Sequence, residues 1–305
     1  MPFRKLGDEN ALSPAQTYAR VIAELKQLPK NEWLTKTLCD ISRFSRILII
    51  DGKYIKVAGF TIRLPFLYAI DYLTHDIPYG DLYPAEDHTS FLDFFTSLQS
   101  LGYQPDIVVA DDRAGIKQAL NRVFPYTRLQ LCQNHFLENI RQRLNVRSKK
   151  RYVNFFNDLK WKVFLKATDK YSIEEGWREV WKQYAKNSAV IQDILKDIDR
   201  RKTELFNYLK IPNSPNNTNL IELYNSHLNG RLKTIKGFQN TDSASRWLNA
   251  YLIRRRTKPL TDCEGKFKHL NKHSSLEFTI KKQAQWPDIL TNLGIKRIKF
   301  FQKSD

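Results

Sequence analysis

Cysteine is scarce: Cys39, Cys132 and Cys263 are the only three in 305 residues. So few, and an odd number, exclude a disulfide framework and point to a reducing interior. Long apolar runs are missing too. No uninterrupted stretch approaches the roughly eighteen residues that a membrane helix needs. The N-terminal MPFRKLGDENALSPAQ carries charges but no apolar signal-peptide segment. No internal repeat is present, and the single Met stands at position 1, which leaves no internal restart. The expected location is the cytoplasm, associated with the nucleoid in a bacterium, or the nucleus in a eukaryote, with no membrane partner.

Acid is the other shortage. Asp and Glu number 32 against 50 Lys and Arg, a net charge of +18. That excess favours a polyanionic partner over a neutral small molecule; the plainer alternative is a soluble basic protein. The charge is also uneven, since residues 141–170 hold ten Lys or Arg against two Asp, and 231–258 hold eight against one. Such clusters suit a phosphate backbone. Aromatics are interleaved (Tyr152, Phe155, Phe156, Trp161, Phe164, then Phe238, Trp247, Tyr251), and at helical spacing these read as core faces rather than base-stacking platforms. With 42% apolar residues the chain can bury a core of its own.

Residues 13–41 read as two short helices, the first capped by Ser13 with Pro14 at its first position, the second starting after Pro29. From 46 the period shortens. The runs RILIID, KYIKVAGF, LPFLYAIDYL and DIPYGDLY, broken by Gly, Pro and Asp, predict three strands in hairpin order. HTSFLDFFTSLQSLG is a helix closed by Gly102, DIVVAD a fourth strand, GIKQALNRVF a helix, RLQLC a fifth strand and NHFLENIRQRL a helix. The order combines an antiparallel meander with two crossover strands, an α/β fold with a mixed sheet. Residues 141 to about 210 show helical periodicity alone, IPNSPNNTN is a linker, and Asn219 reads as the cap of a further helix. The expected organisation is a helical lead-in over 1–45, a core over 46–140, an all-helical insertion over 141–215, completion of the core by a Glu-bearing and a basic helix over 216–260, and a tail over 261–305.

Two apolar runs each deliver an acid: Asp51 before Gly52, and Asp111 with Asp112 after IVVA. Ligands gather at the carboxyl ends of strands in such sheets. If the first and fourth strands are neighbours, two carboxylates meet there, and their repulsion calls for a divalent cation, Mg²⁺ or Mn²⁺ given oxygen ligands. The alternative is that each acid ends its strand in a turn. Glu222, among Leu220, Ile221 and Leu223, is the candidate third ligand, or else it closes a capping box at N3. Cys132 and His135 read as zinc ligands only with help from Cys263, His269 and His273, a poor second half. His135 otherwise contacts a phosphate, orients a carboxylate or is simply buried, and Cys132 packs as a small apolar group.

The stretches IDGKY, VVADDRAGIKQAL, LCQNH and TNLIELYNSHLNGRLKTIKGF together resemble the catalytic core of DDE transposases of the Mutator-like branch, over about residues 46–260. That resemblance implies an RNase H-like fold, with the helical insertion ahead of the Glu. It implies Asp51, Asp111 and Glu222 as the catalytic and metal-holding acids, with Asp111 preferred to Asp112, and Cys132 and His135 as a Cys-x-x-His pair typical of the branch. Two Mg²⁺ or Mn²⁺ ions are implied. In such sites a pair of ions about 3.5–4 Å apart activates a water or a 3′-hydroxyl and steadies the leaving oxygen of a phosphodiester.

The implied reaction is DNA cleavage and strand transfer in transposition of an insertion sequence, on double-stranded element ends and target DNA, by a homodimer or larger assembly. The expected phosphate contacts are Arg141, Arg143, Lys149, Lys150 and Arg151 in the first basic cluster, and Arg231, Lys233, Lys236, Arg254, Arg255 and Arg256 in the second. An RNase H-like nuclease without strand transfer, or an inactive DNA-binding remnant, are the rival readings. About 45 residues precede the first core strand, with no paired-Cys zinc ribbon and no helix-turn-helix. The expectation is therefore that the insertion or the tail reads the element ends, or that the chain is a shortened copy.

Overall fold

A computed structural model describes residues 7–301. The first six residues of the expected lead-in and the last four of the expected tail lie outside the described residues. The chain is α/β, with five strands of mixed pairing and many helices among the described residues. It divides into two units: residues 1–105, 114–125 and 219–305 make the first, and residues 106–113 and 126–218 the second.

In the first unit the lead-in helices are α1 (Pro14–Gln27), opened by a Ser13/Gln16 capping box, and α2 (Asn31–Leu38). The meander follows as β1 (Ile47–Ile55), β2 (Leu64–Asp71) and β3 (Gly80–Leu82), each antiparallel to the next. Every residue of β2 is buried, as expected for the middle strand of three. Each large apolar side chain buried in this way contributes about 1.5–3 kcal/mol. Helices α3 (His88–Ser100) and α4 (Ile116–Val123) also belong to this unit. Gly102, at φ +79°, follows α3 where a left-handed residue ends a helix.

The second unit holds a parallel pair, β4 (Ile107–Ala110) and β5 (Arg128–Leu131), then α5 (Gln133–Arg143). The expected helical segment follows as α6 (Val153–Asp158), a π-helical turn over Leu159–Leu165, α7 (Lys170–Tyr184) and α8 (Ala189–Phe206). Phe155, Phe156, Leu159, Val163, Trp177 and Ile194 build a core of its own. The amides of Gln130 and Gln133 both donate to Leu205 O, fixing the end of α8 to β5. The aromatics of 141–170 are core, as read, except Trp161, which is 56% exposed.

The first unit closes with α9 (Asn219–Leu232), α10 (Thr241–Thr257), a 3₁₀ turn over Gly265–Leu270, α11 (Ser275–Thr279) and α12 (Asp288–Asn292). The tail is more ordered than its irregular sequence suggests. Ile280 bridges Cys39, and Lys281 N–H donates to Leu38 O, so the tail packs on the lead-in.

Two expectations need correction. Asp51 does not end its strand: it pairs with Tyr68 and Gly52 with Leu67, and the ladder continues to Ile55 opposite Leu64. Gly52 reads as a turn but serves a close approach, because a Cβ there would meet Leu67 Cδ2 and Glu86 Oε1 at 3.0 Å.

The second correction concerns Arg256, expected on DNA. It is fully buried, with Nε and Nη2 each 2.8 Å from an Asp76 carboxylate oxygen. Its remaining donors reach Thr35 Oγ1, Asn31 Oδ1 and Cys39 Sγ. Asp76 also accepts from Ser275 and Thr279. A desolvated guanidinium with every donor occupied has nothing left for a phosphate. Burial pushes the Cys39 thiol beside it up to about 11.

Candidate active site

Asp51 lies mid-strand on β1, half-buried, its carboxylate held at both oxygens. The Gly52 N–H donates to Oδ1 at 2.7 Å, and Asn225 Nδ2 donates to Oδ2 at 2.6 Å. Asn225 is itself fixed, since its Oδ1 accepts from the Tyr68 hydroxyl at 2.9 Å. Tyr68 is fully buried, and burial first, then neighbouring Tyr251, Asp51 and Tyr224, holds its phenol protonated, so it remains a donor. Behind Tyr68 stands Gly80, where a Cβ would come within 2.6 Å of Tyr68 Cβ; only glycine lets β3 approach so closely.

Glu222 is exposed in the first turn of α9, one turn before Asn225, so the two are neighbours on the helix surface. The helix starts at Asn219 itself, one residue earlier than a cap there would allow. The same unit thus carries Asp51 and Glu222 on elements tied by the Asn225–Asp51 hydrogen bond.

Asp111 belongs to the second unit, directly after β4, with its side chain 16% exposed. His135 Nδ1, in the first turn of α5, lies 2.7 Å from Asp111 Oδ1 and 3.3 Å from Cys132 Sγ. The Asp111 carboxylate, and then the Cys132 sulfur, raise the imidazole to about 11, so His135 is an imidazolium across the physiological range. The imidazole thus stands beside a carboxylate, a thiol and, at 3.4 Å, the Thr218 hydroxyl. Cys132 is buried and accepts from Thr218 Oγ1 at 3.2 Å. Asp112 is exposed and points elsewhere, forming an ion pair with Arg201.

Asp111, Cys132 and His135 offer ligand atoms all within 4.8 Å of one another, the only such trio among the described residues. Their mixed oxygen, sulfur and nitrogen set lacks the fourth ligand of a structural zinc. Cys263, His269 and His273 do not assemble a second half. Cys263 lies 3.9 Å from His75, His269 meets Lys266 O, and His273 pairs with Glu277.

The basic residues sort by their partners. Arg141 is engaged by Glu138 at two 2.6 Å contacts, and Arg143 lies 3.5 Å from Asp193. Lys149, Lys150 and Arg151 are exposed, as are Arg231, Lys233, Lys236 and Arg254. Arg255 lies half-buried over the Tyr224 ring at 4.3 Å. Asn225 is the residue that sequence reading missed; its place on the Ile221, Asn225, Leu228 stripe marks it as inward-facing and polar.

A sequence model of the family described as Transposase, Mutator family, matches residues 14–257. The transposase for insertion sequence element ISRM5 of Rhizobium meliloti (strain 1021) is 24% identical over 218 residues, 68% of this chain and 52% of the relative. The transposase for insertion sequence element IS256 in transposon Tn4001 of Staphylococcus aureus is 29% identical over 178 residues, 55% of this chain and 43% of its own length. That for IS1201 of Lactobacillus helveticus is 24% identical over 162 residues, 52% of this chain and 42% of the relative. The chain spans about half the length of the curated relatives it matches.

Proposed function

The chain belongs to the Mutator family of transposases, and from that premise we propose that it cleaves DNA phosphodiesters at the ends of an insertion sequence and joins them to target DNA, with Mg²⁺ or Mn²⁺. The observation that carries this reading is the two-point clamp on Asp51 by Gly52 and by Asn225, on the helix that bears Glu222. A strand acid is thereby pre-oriented by the element carrying a second acid, as a metal site requires.

In this reading Asp51, Asp111 and Glu222 hold two divalent ions, which when bound supply Lewis-acid activation of the attacking hydroxyl and of the leaving oxygen. Asn225 fixes the plane of the Asp51 carboxylate. His135, with Nδ1 2.7 Å from Asp111 Oδ1, orients that carboxylate. Residues 46–140 and 216–260 form an RNase H-like core, and the helices of 141–215 interrupt it. The protein works on double-stranded DNA as a homodimer or larger assembly, in the bacterial cytoplasm on the nucleoid.

The test incubates purified protein with a labelled duplex ending in the terminal repeats that flank its gene, with Mg²⁺ or Mn²⁺, beside Asp51→Asn, Asp111→Asn and Glu222→Gln. Metal-dependent nicking and joining, lost in each variant while DNA binding persists, is the expected result. Cutting without joining would mark a nuclease instead, and cleavage retained by Asp51→Asn would overturn the site assignment.

A further inference from the structure

The connection between β1 and β2, residues 56–63 (KVAGFTIR), contains no acid and projects apolar groups into solvent: Phe60 is 48% and Ile62 64% exposed. Lys56 and Arg63 flank them, both exposed. Against this hairpin runs a second acid-free stretch, residues 231–238 (RLKTIKGF), which leaves the end of α9. The two are joined by backbone pairing: Val57 bridges Phe238, Ala58 N–H donates to Phe238 O at 2.8 Å, and Phe238 N–H donates to Lys56 O at 2.9 Å. The Lys56 side chain passes over Gly237, where a Cβ would sit 3.3 Å from its Cγ. Lys56 and Lys236 are thus gathered at one place with Arg63, Arg231 and Lys233 on the same two segments. Among the described residues no carboxylate pairs with any of the five. Like charges held together without counter-charge disfavour the fold on their own account, and a polyanion relieves the cost.

We propose that the hairpin tip and the 231–238 segment form a grip for duplex DNA, in which Lys56, Arg63, Arg231, Lys233 and Lys236 neutralise phosphates while Phe60 and Ile62 pack against the groove. The proposal rests on the transposase reading and adds a surface to it. Its placement has a mechanical logic. One segment continues the strand that carries Asp51, and the other continues the helix that carries Glu222, so phosphates held here have fixed positions along the two acid-bearing elements. Apolar side chains exposed at a basic tip match the wedges that proteins insert between base steps, whereas the flanking cations supply affinity without sequence.

The test measures binding of a fluorescent 25-bp duplex by anisotropy across a salt series, without divalent metal, so that no chemistry enters. Each lost phosphate contact flattens the slope of log K against log salt by about 0.9. The variant Lys56→Gln/Arg63→Gln/Lys233→Gln/Lys236→Gln is expected to flatten it by about 2 to 4. The Phe60→Ala/Ile62→Ala variant is expected to weaken binding on the order of tenfold with the slope unchanged. All six side chains are exposed, so unchanged circular dichroism and thermal midpoints are expected of both. A quadruple variant with the full wild-type slope overturns the surface and leaves the transposase reading standing. A wild-type chain without salt-dependent binding overturns that reading itself. Asp51→Asn, which should keep the whole slope here while losing cleavage in the metal-containing assay above, separates the two failures.

Discussion

Replacing Arg256 with methionine separates a structural arginine from a DNA-binding one. Methionine keeps the bulk and removes the guanidinium, leaving Asp76, itself fully buried, with only the hydroxyls of Ser275 and Thr279. Breaking a buried pair by deleting one partner costs about 3–5 kcal/mol, because the stranded charge loses its compensation. Against total stabilities of about 5–15 kcal/mol this is a large share. The urea midpoint of the first unit, followed through Trp33, Trp247 and Trp286, should fall by roughly 1 M or more. Arg256→Lys should fall between, keeping the charge but losing the two-pronged contact. The double variant Asp76→Leu/Arg256→Met should recover most of the loss, since an apolar replacement removes both desolvated charges. The salt slope of DNA binding should not change. An unshifted midpoint together with a slope flattened by about 0.9 would refute the argument and return Arg256 to the phosphate contacts.

Asn225→Ala removes the donor to Asp51 and leaves the buried Tyr68 hydroxyl only the longer contact to Ile221 O at 3.4 Å; the expected cost is about 1–3 kcal/mol by thermal melting, with the proposed DNA cleavage reduced and duplex binding retained. Gly80→Ala should destabilise by about 1–3 kcal/mol, because its methyl would overlap Tyr68, and a melting point equal to wild type would contradict the close approach. Burial, reinforced by Arg255 and His269, lowers His75 from 6.5 to about 4, and its Nε2 has no partner. The unfolded chain then takes up a proton that the folded one refuses, so stability falls as pH drops from about 6.5 to about 4, by up to about 3 kcal/mol. Urea midpoints over that range should flatten in His75→Phe.

The strand and helix order was legible because alternation and helical spacing are properties of single segments. IVVA before Asp111 and the periodic helices of 141–210 needed no tertiary knowledge. The misplaced end of β1 came from reading Gly52 as punctuation, when the glycine answers to Leu67 and Glu86 across space. Arg256 was hidden inside RRR, which as a charge run reads as solvated. Its spacing told otherwise, since Ala244, Leu248, Leu252 and Arg256 recur every four residues along one buried stripe. The tail was opaque because its role, donors for Asp76 and a bridge to Cys39, exists only through contacts more than 190 residues away in the chain. The same holds for Asn225, whose task is set by Asp51, 174 residues earlier.

The Asp76 knot also sets a schedule for synthesis. Arg256, Ser275 and Thr279 follow Asp76 by 180, 199 and 203 residues. At about 5–20 residues per second a ribosome takes roughly 10–40 s to deliver them. Through that interval the Asp76 carboxylate lacks the partners that compensate its burial in the finished fold. The second unit, whose last residue is 218, has left the ribosome well before the knot can be tied. A nascent chain therefore carries Asp51 in an unfinished unit until Thr279 has emerged, and an early-terminated product would keep all three acids yet lack the knot that closes the unit holding two of them.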